Sequence, residues 1–122
     1  MSISEAESHV MEVLWNRHPL TADEVVEALT QSTQWQEPTI KTLLNRLLKK
    51  RAIAATRDGR RYLYRPLLAR DDYVQAASKS LLDRLFGGRV APLVAHFSEQ
   101  HKLSKKDVTE LKRLIEEIDR DS

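Results

Sequence analysis

A chain of 122 residues has room for one modest domain, or for a small domain with a helical extension, which excludes a large two-lobed enzyme. Its 41% hydrophobic and 31% charged residues fit a soluble fold, and the absence of cysteine excludes disulfides, thiolate metal sites and a cysteine nucleophile. The net charge of +2 hides a segregation: residues 1–37 carry one Arg against seven acids, residues 38–65 nine Lys or Arg against one Asp, and residues 66–122 ten of each, so the basic charge forms one block, the footprint of a polyanion rather than of a generally basic surface.

The first residues, MSISEAESHVME, lack the basic and apolar regions of a secretory signal, and no apolar run approaches the roughly 18 residues of a membrane span. A cytoplasmic protein without a membrane partner is therefore expected. Ser4 with Glu7 three residues later is a capping-box pattern, and Ala6, Val10, Val13 and Leu14 recur behind it at helical spacing. The spacing predicts helix one from about Glu5 to Trp15. Asn16 to Leu20, with Pro19, reads as a connection. Thr21 and Glu24 repeat the capping pattern ahead of Val25, Val26, Ala28 and Leu29, giving helix two as far as about Thr30. Gln31 to Glu37 is polar apart from Trp35, which suits the anchor of a short extended segment.

Helix three is predicted from Pro38 to Arg51, with Pro38 at the first helical position, where its missing N–H costs no hydrogen bond. At 100° per residue Ile40, Leu43, Leu44, Leu47 and Leu48 fall on one side. Lys41, Thr42, Asn45, Arg46 and Lys49 fall on the other, and these are residue types that read DNA. Lys and Arg reach guanine edges or phosphate oxygens, Asn pairs with adenine, and the Thr methyl touches the thymine methyl. Three short helices with a basic third match a helix-turn-helix layout. Ile53 to Arg57 and Arg61 to Arg65 follow as extended runs around Asp58 and Gly59, a pair suited to the positive-φ turn of a tight hairpin. Arg57, Arg60 and Arg61 mark its tip, and Tyr62 and Tyr64 alternate with Leu63, so one face packs while the arginines reach toward phosphate or a minor groove. A basic hairpin directly after a basic helix describes a winged helix.

Beyond Pro66 the pattern returns to helix. Val74, Ala77, Leu81, Leu82, Leu85 and Phe86 mark one helix from about Arg70 to Phe86, stopped by Gly87 and Gly88. Val90, Leu93, Val94 and Phe97 mark a second. Ser104 and Asp107 cap a third, along which Val108, Leu111, Leu114, Ile115 and Ile118 line one side. These stripes have little chain to cover them. Isologous pairing buries the same stripe twice and creates a two-fold axis that a palindromic DNA site matches, so a homodimer through these helices is expected. The fold class is then mainly α with a small antiparallel β wing: a winged helix-turn-helix in residues 1–68 and a helical dimerisation region in residues 69–122.

With these pieces in order, the sequence resembles the penicillinase-repressor (BlaI/MecI/CopY) family of bacterial transcriptional regulators. The matching stretches are ISEAE with VMEVLW in helix one, TADEVVEAL in helix two, PTIKTLLNRLLKK in helix three and RRYLYRP in the wing; KSLLDRLFGG and LVAHFSEQHKLSKKDVTELKRLIEEI are similar to the family's dimerisation region. The resemblance spans nearly the whole chain. It implies a homodimeric repressor on an inverted-repeat operator that controls a resistance or stress-response gene of the β-lactamase type, and it puts Thr39, Lys41, Thr42 and Arg46 at the major groove and Arg60 and Arg61 on the wing near the DNA backbone. Leu81, Leu85, Leu93, Phe97, Leu111, Leu114, Ile115 and Ile118 become the expected dimer contacts. In the β-lactam-responsive members a membrane-bound sensor protease triggers cutting at an Asn-Phe bond; the corresponding pair here is His96 and Phe97, and the change of Asn to His departs from that pattern. The copper-responsive members carry paired cysteines that this chain lacks.

Four histidines and many acids give no metal-ligand spacing: His96 and His101 are five apart and point to different sides of a continuous helix, while His9 and His18 lie at or near the ends of separate elements. No GxSxG elbow, HExxH pair or glycine-rich phosphate loop occurs, so neither a catalytic site nor a cofactor is expected. Trp15 and Trp35 read as packing residues. The competing reading is a winged-helix interaction module whose basic face binds an acidic protein; preference for one palindrome over random DNA by roughly 10³-fold separates the two.

Overall fold

In the computed structural model, which describes residues 2–122, the chain runs α1 (Glu5–Asn16), β1 (Leu20–Thr21), α2 (Ala22–Ser32), α3 (Glu37–Lys49), β2 (Ile53–Asp58), β3 (Arg61–Pro66), α4 (Arg70–Leu85), α5 (Val90–Glu99) and α6 (Lys105–Asp121). Local chemistry starts the first two helices as expected. The Glu7 and Glu24 N–H groups donate to the Ser4 and Thr21 hydroxyls, and each Glu carboxylate accepts from the N–H of its capping residue at 2.8 and 2.9 Å. These bonds lower the Glu24 carboxyl below its ordinary range, the Thr21 backbone N–H contributing most.

The third helix differs from expectation at both ends. Glu37 is its first residue and Pro38 lies one position inside, still among the early positions whose N–H groups lack an intrahelical acceptor. The helix ends at Lys49 rather than Arg51. Arg51 turns to φ 61°, its N–H donating to the Leu48 carbonyl at 3.1 Å, and the Ala52 N–H donates to the Leu47 carbonyl at 3.0 Å. This is a Schellman cap with an arginine at the left-handed position.

The sheet is antiparallel in the order β1-β3-β2. Strand β1, which periodicity reads as connection, pairs Leu20 with Tyr64 and Thr21 with Leu63. The hairpin turn is displaced by one residue from Asp58-Gly59, because Asp58 pairs with Arg61 across the ladder. Gly59 and Arg60 are then the two loop residues, with positive φ at Gly59 alone, the arrangement of a type II′ turn.

The molecule divides into two compact units, the first ending at Gln75 and the second Ala76–Ser122. In the first, Val10, Met11 and Leu14 of α1, Leu20 of β1, Val25 and Leu29 of α2, Ile40, Leu43, Leu44 and Leu47 of α3, Ala52 and Ile53 form one closed core. Burying the four α3 side chains stabilises by about 1.5–3 kcal/mol each, enough to fix which side of that helix faces out. Trp15 packs at the edge of this core and donates its Nε1–H to the Leu68 carbonyl at 2.8 Å; Trp35 packs there too, with His9 edge-on at 5.3 Å. His9 thus sits within α1 and not at an element's end. In the second unit α6 starts from a third capping box, Ser104 with Asp107, and α4 stops before Gly87 and Gly88, both at positive φ.

Candidate nucleic-acid interface

The outward side of α3 carries two rows at four-residue spacing, Glu37–Lys41–Asn45–Lys49 and Pro38–Thr42–Arg46, with Thr39 beside them at the start of the helix. Thr39, Lys41, Thr42, Asn45, Arg46 and Lys49 are all exposed, as are Arg57, Arg60 and Arg61 of the hairpin. The structure thus brings the six helix residues onto one continuous face.

The nine are not equivalent. The Lys41 ammonium sits 3.0 Å from the Glu37 carboxylate, and that hydrogen bond, more than any other influence, raises the Lys41 pKa above its ordinary value. Thr42 donates its hydroxyl to the Pro38 carbonyl at 2.9 Å, which leaves its methyl as the group offered outward. Arg57 donates to the Gly59 carbonyl at 3.0 Å, and Arg61 donates twice to Asp58 Oδ2 at 3.2 and 3.3 Å. Thr39, Asn45, Arg46, Lys49 and Arg60 have no side-chain hydrogen bond or ion pair among the described residues. Arg46, Lys49 and Arg60 are accordingly the cations of the set that are free to meet phosphate or a base edge.

One member of the basic block is withdrawn from that surface. Lys50 reaches back to α1, donating to the Ser2 carbonyl at 2.8 Å and to Glu7 Oε1, and Glu7 is only 1% exposed. Burial pushes the Glu7 carboxyl up, but hydrogen bonds from Lys50 and Ser4, with the Lys50 charge, overcome it and hold the group below its ordinary value. The sequence offers Glu7 only as a capping residue. Its second role depends on a partner 43 residues away, which no local pattern reveals.

The expected dimer residues lie on α4 (Leu81, Leu85), α5 (Leu93, Phe97) and α6 (Leu111, Leu114, Ile115, Ile118), and none is buried. Leu93 and Leu111 are half-buried, while Leu85, Ile115 and Ile118 are 63%, 57% and 66% exposed. A groove of about 280 Å³ between α5 and α6 is lined by Leu93, Val94, Phe97, Leu103, Leu111 and Leu114 together with Asp107 and Glu110. His96 and Phe97 are both exposed and lie within the continuous α5. Among the described residues no three His, Asp or Glu side chains gather as metal ligands, and no helix is long and apolar enough to cross a membrane.

Three helices over a closed core, the third presenting a cationic face, with a three-stranded sheet ending in an arginine-bearing hairpin, define a winged-helix module. The penicillinase repressor family model matches residues 3–117. The chain belongs to the penicillinase-repressor family. It is 36% identical over 115 residues to the penicillinase repressor of Bacillus licheniformis, covering 94% of this chain and 90% of that one. It is 30% identical over 113 residues to the methicillin resistance regulatory protein MecI of Staphylococcus aureus, covering 93% and 92%. Among solved structures, the monomeric form of Bacillus licheniformis BlaI in complex with the blaP half-operator is 37% identical, with a TM-score of 0.54 over 60% of this chain and 89% of that one. The transcription regulator MepR of Staphylococcus aureus shares the fold at 21% identity, with a TM-score of 0.54 over 96% of this chain and 78% of that one.

Proposed function

We propose that this protein is a homodimeric transcriptional repressor. It binds double-stranded DNA at an inverted-repeat operator and controls a resistance or stress-response gene, with β-lactamase as the model target. Residues 1–68 read the half-site and residues 69–122 pair the subunits. Thr39, Lys41, Thr42, Asn45, Arg46 and Lys49 enter the major groove, and Arg57, Arg60 and Arg61 lie along the backbone.

The observation that carries this reading is the face of α3, where Arg46, Lys49 and Asn45 stand exposed and unpartnered over a helix whose opposite side is locked in the core. A rigid helix spares the backbone ordering cost when a groove supplies acceptors, leaving about 0.5–1.5 kcal/mol for each side chain immobilised. The uncovered apolar stripes of α4 to α6 support the homodimer. His96–Phe97 remains the candidate target of a regulatory protease on the family pattern, and its place inside α5 means that cutting requires this helix to open locally.

The test is a fluorescence-anisotropy titration of the purified chain against the inverted repeats upstream of its own gene, with a scrambled duplex as control, at two salt concentrations. Binding at two subunits per site, tighter than to the scrambled duplex by roughly 10³-fold, is expected. Arg46→Ala should cost about 1–3 kcal/mol on the operator and relax preference at one position. Equal, weak, salt-sensitive binding to every duplex points instead to an acidic protein as the partner of this face.

A further inference from the structure

We infer that Glu37 determines specificity on the α3 surface: with Lys41 it forms an acceptor–donor pair that takes a G·C base pair and turns phosphate away. The inference rests on the DNA-reading role proposed above. Glu37 is the sole acid of α3, and it stands at the N-terminal end of a helix whose other outward residues are neutral or cationic. A helix N-terminus with free N–H groups and a nearby lysine is a ready phosphate site. A carboxylate at that place complements the helix dipole itself and repels a phosphate oxygen. Its distance of 3.0 Å from the Lys41 ammonium further takes up a cation that would otherwise attach to any backbone.

The same two groups are matched to one base pair. A carboxylate only accepts hydrogen bonds and an ammonium only donates them. In the major groove guanine offers two adjacent acceptors, O6 and N7, and its cytosine offers the N4 donor. Lysine on guanine and glutamate on cytosine therefore satisfies both side chains across one pair. An A·T pair divides its acceptors between two bases and suits the ammonium less well. Both side chains are about half exposed, 50% for Lys41 and 53% for Glu37, so neither must leave the core to reach a groove. Glu37 thus lowers attachment to random DNA while rewarding one base pair, which is how specificity is raised without raising overall affinity.

The experiment selects duplexes from a randomised pool with the full chain and with Glu37→Gln, then titrates the winning duplex, its single-pair variants and a scrambled duplex at two salt concentrations. Wild-type protein is expected to select one G·C pair per half-site that Glu37→Gln accepts about fivefold less strictly. On scrambled DNA the variant should bind more tightly, with a salt slope larger by about one phosphate contact, because Lys41 is released. Loss of α3 structure would weaken every duplex, so tighter random binding separates the two causes. If wild type selects a site and Glu37→Gln shows the same preferences and slope, the role of Glu37 is overturned and the repressor reading stands. If wild type selects nothing, both fall together.

Discussion

The two units solve the burial of apolar surface in opposite ways. Among the described residues, every buried apolar side chain lies between Val10 and Ile53, and helices α4, α5 and α6 contain none. The first unit closes its core from its own chain. The second spends its leucines and isoleucines on stripes that stay half-open, with Leu85, Ile115 and Ile118 more than half exposed. On the reading proposed above, a second copy covers these stripes without further sequence. In the proposed repressor the first unit is then the reading unit and the second the pairing unit, a division that suits a symmetric operator.

The largest expected effect breaks that division of labour at the pairing unit. Ile115→Asp places a charge in the α6 stripe and should convert a two-subunit species into one subunit in sedimentation velocity. Operator affinity should then fall by about 100-fold or more, since two linked half-sites become two separate events. Circular dichroism should still report a folded reading unit. A wild-type chain that sediments as one subunit at tens of micromolar would show that the second unit does not pair.

Leu47→Ala acts on the other side. Leu47 is fully buried in the last turn of α3, and truncation should cost about 2–5 kcal/mol in a urea titration. This loss should be independent of protein concentration, whereas substitutions in the α6 stripe should give losses that grow on dilution. Equal concentration dependence for the two would mean that the first unit does not fold by itself.

A smaller effect concerns the clamp between α1 and the end of α3. Lys50→Met leaves the buried Glu7 carboxylate with Ser4 alone, at a cost of about 1–3 kcal/mol, reduced by the solvent open to the lysine head. Glu7 is held below its ordinary value of 4.5, so its contribution is complete above that pH and is lost as pH falls through the lower folded value. The acid-unfolding midpoint of Lys50→Met should therefore lie at higher pH than that of wild type. On DNA the variant should keep the wild-type salt slope, because Lys50 faces α1; a slope reduced by one contact would return Lys50 to the binding surface.

What the sequence discloses of this molecule follows the range of the interactions. The three capping boxes at Ser4, Thr21 and Ser104 span four residues each and are legible without a structure, and so is the α3 face, because 3.6-residue periodicity sorts Ile40 and Leu47 from Arg46 and Lys49. Strand β1 is two residues long, too short for any alternation, and exists through its pairing with β3. The hairpin turn is legible in kind but not in register, since an Asp-Gly pair fits both positions and the ladder decides between them. The withdrawal of Lys50 and the engagement of Lys41, Arg57 and Arg61 are invisible in a charge count. A block of nine cations reads as nine contacts, yet geometry leaves Arg46, Lys49 and Arg60 as the uncommitted ones among those proposed to bind DNA.

The smallest expected effect lies at the joint between helix and wing. Arg51 holds the left-handed position of the α3 cap at φ 61°, a conformation that costs an L-residue about 1–2 kcal/mol and glycine almost nothing. Arg51→Gly removes that cost but gives the unfolded chain more freedom, worth about 0.5–1 kcal/mol in the opposite direction. The net expectation is a gain of about 0.5–1 kcal/mol in the reading unit, seen as a higher urea midpoint at unchanged slope. The side chain is exposed and the gain arises from the backbone alone, so Arg51→Ala, which keeps the Cβ, should bring no such gain. Stabilisation by both variants would assign the effect to relief of charge repulsion within Lys49, Lys50 and Arg51 instead of to the cap. Because the cap sets the direction in which Ala52 leaves α3 for the wing, a gain confined to glycine would also show that this joint is under strain in the folded first unit, as the matching cap of α5, with His101 at φ 55°, would be in the second.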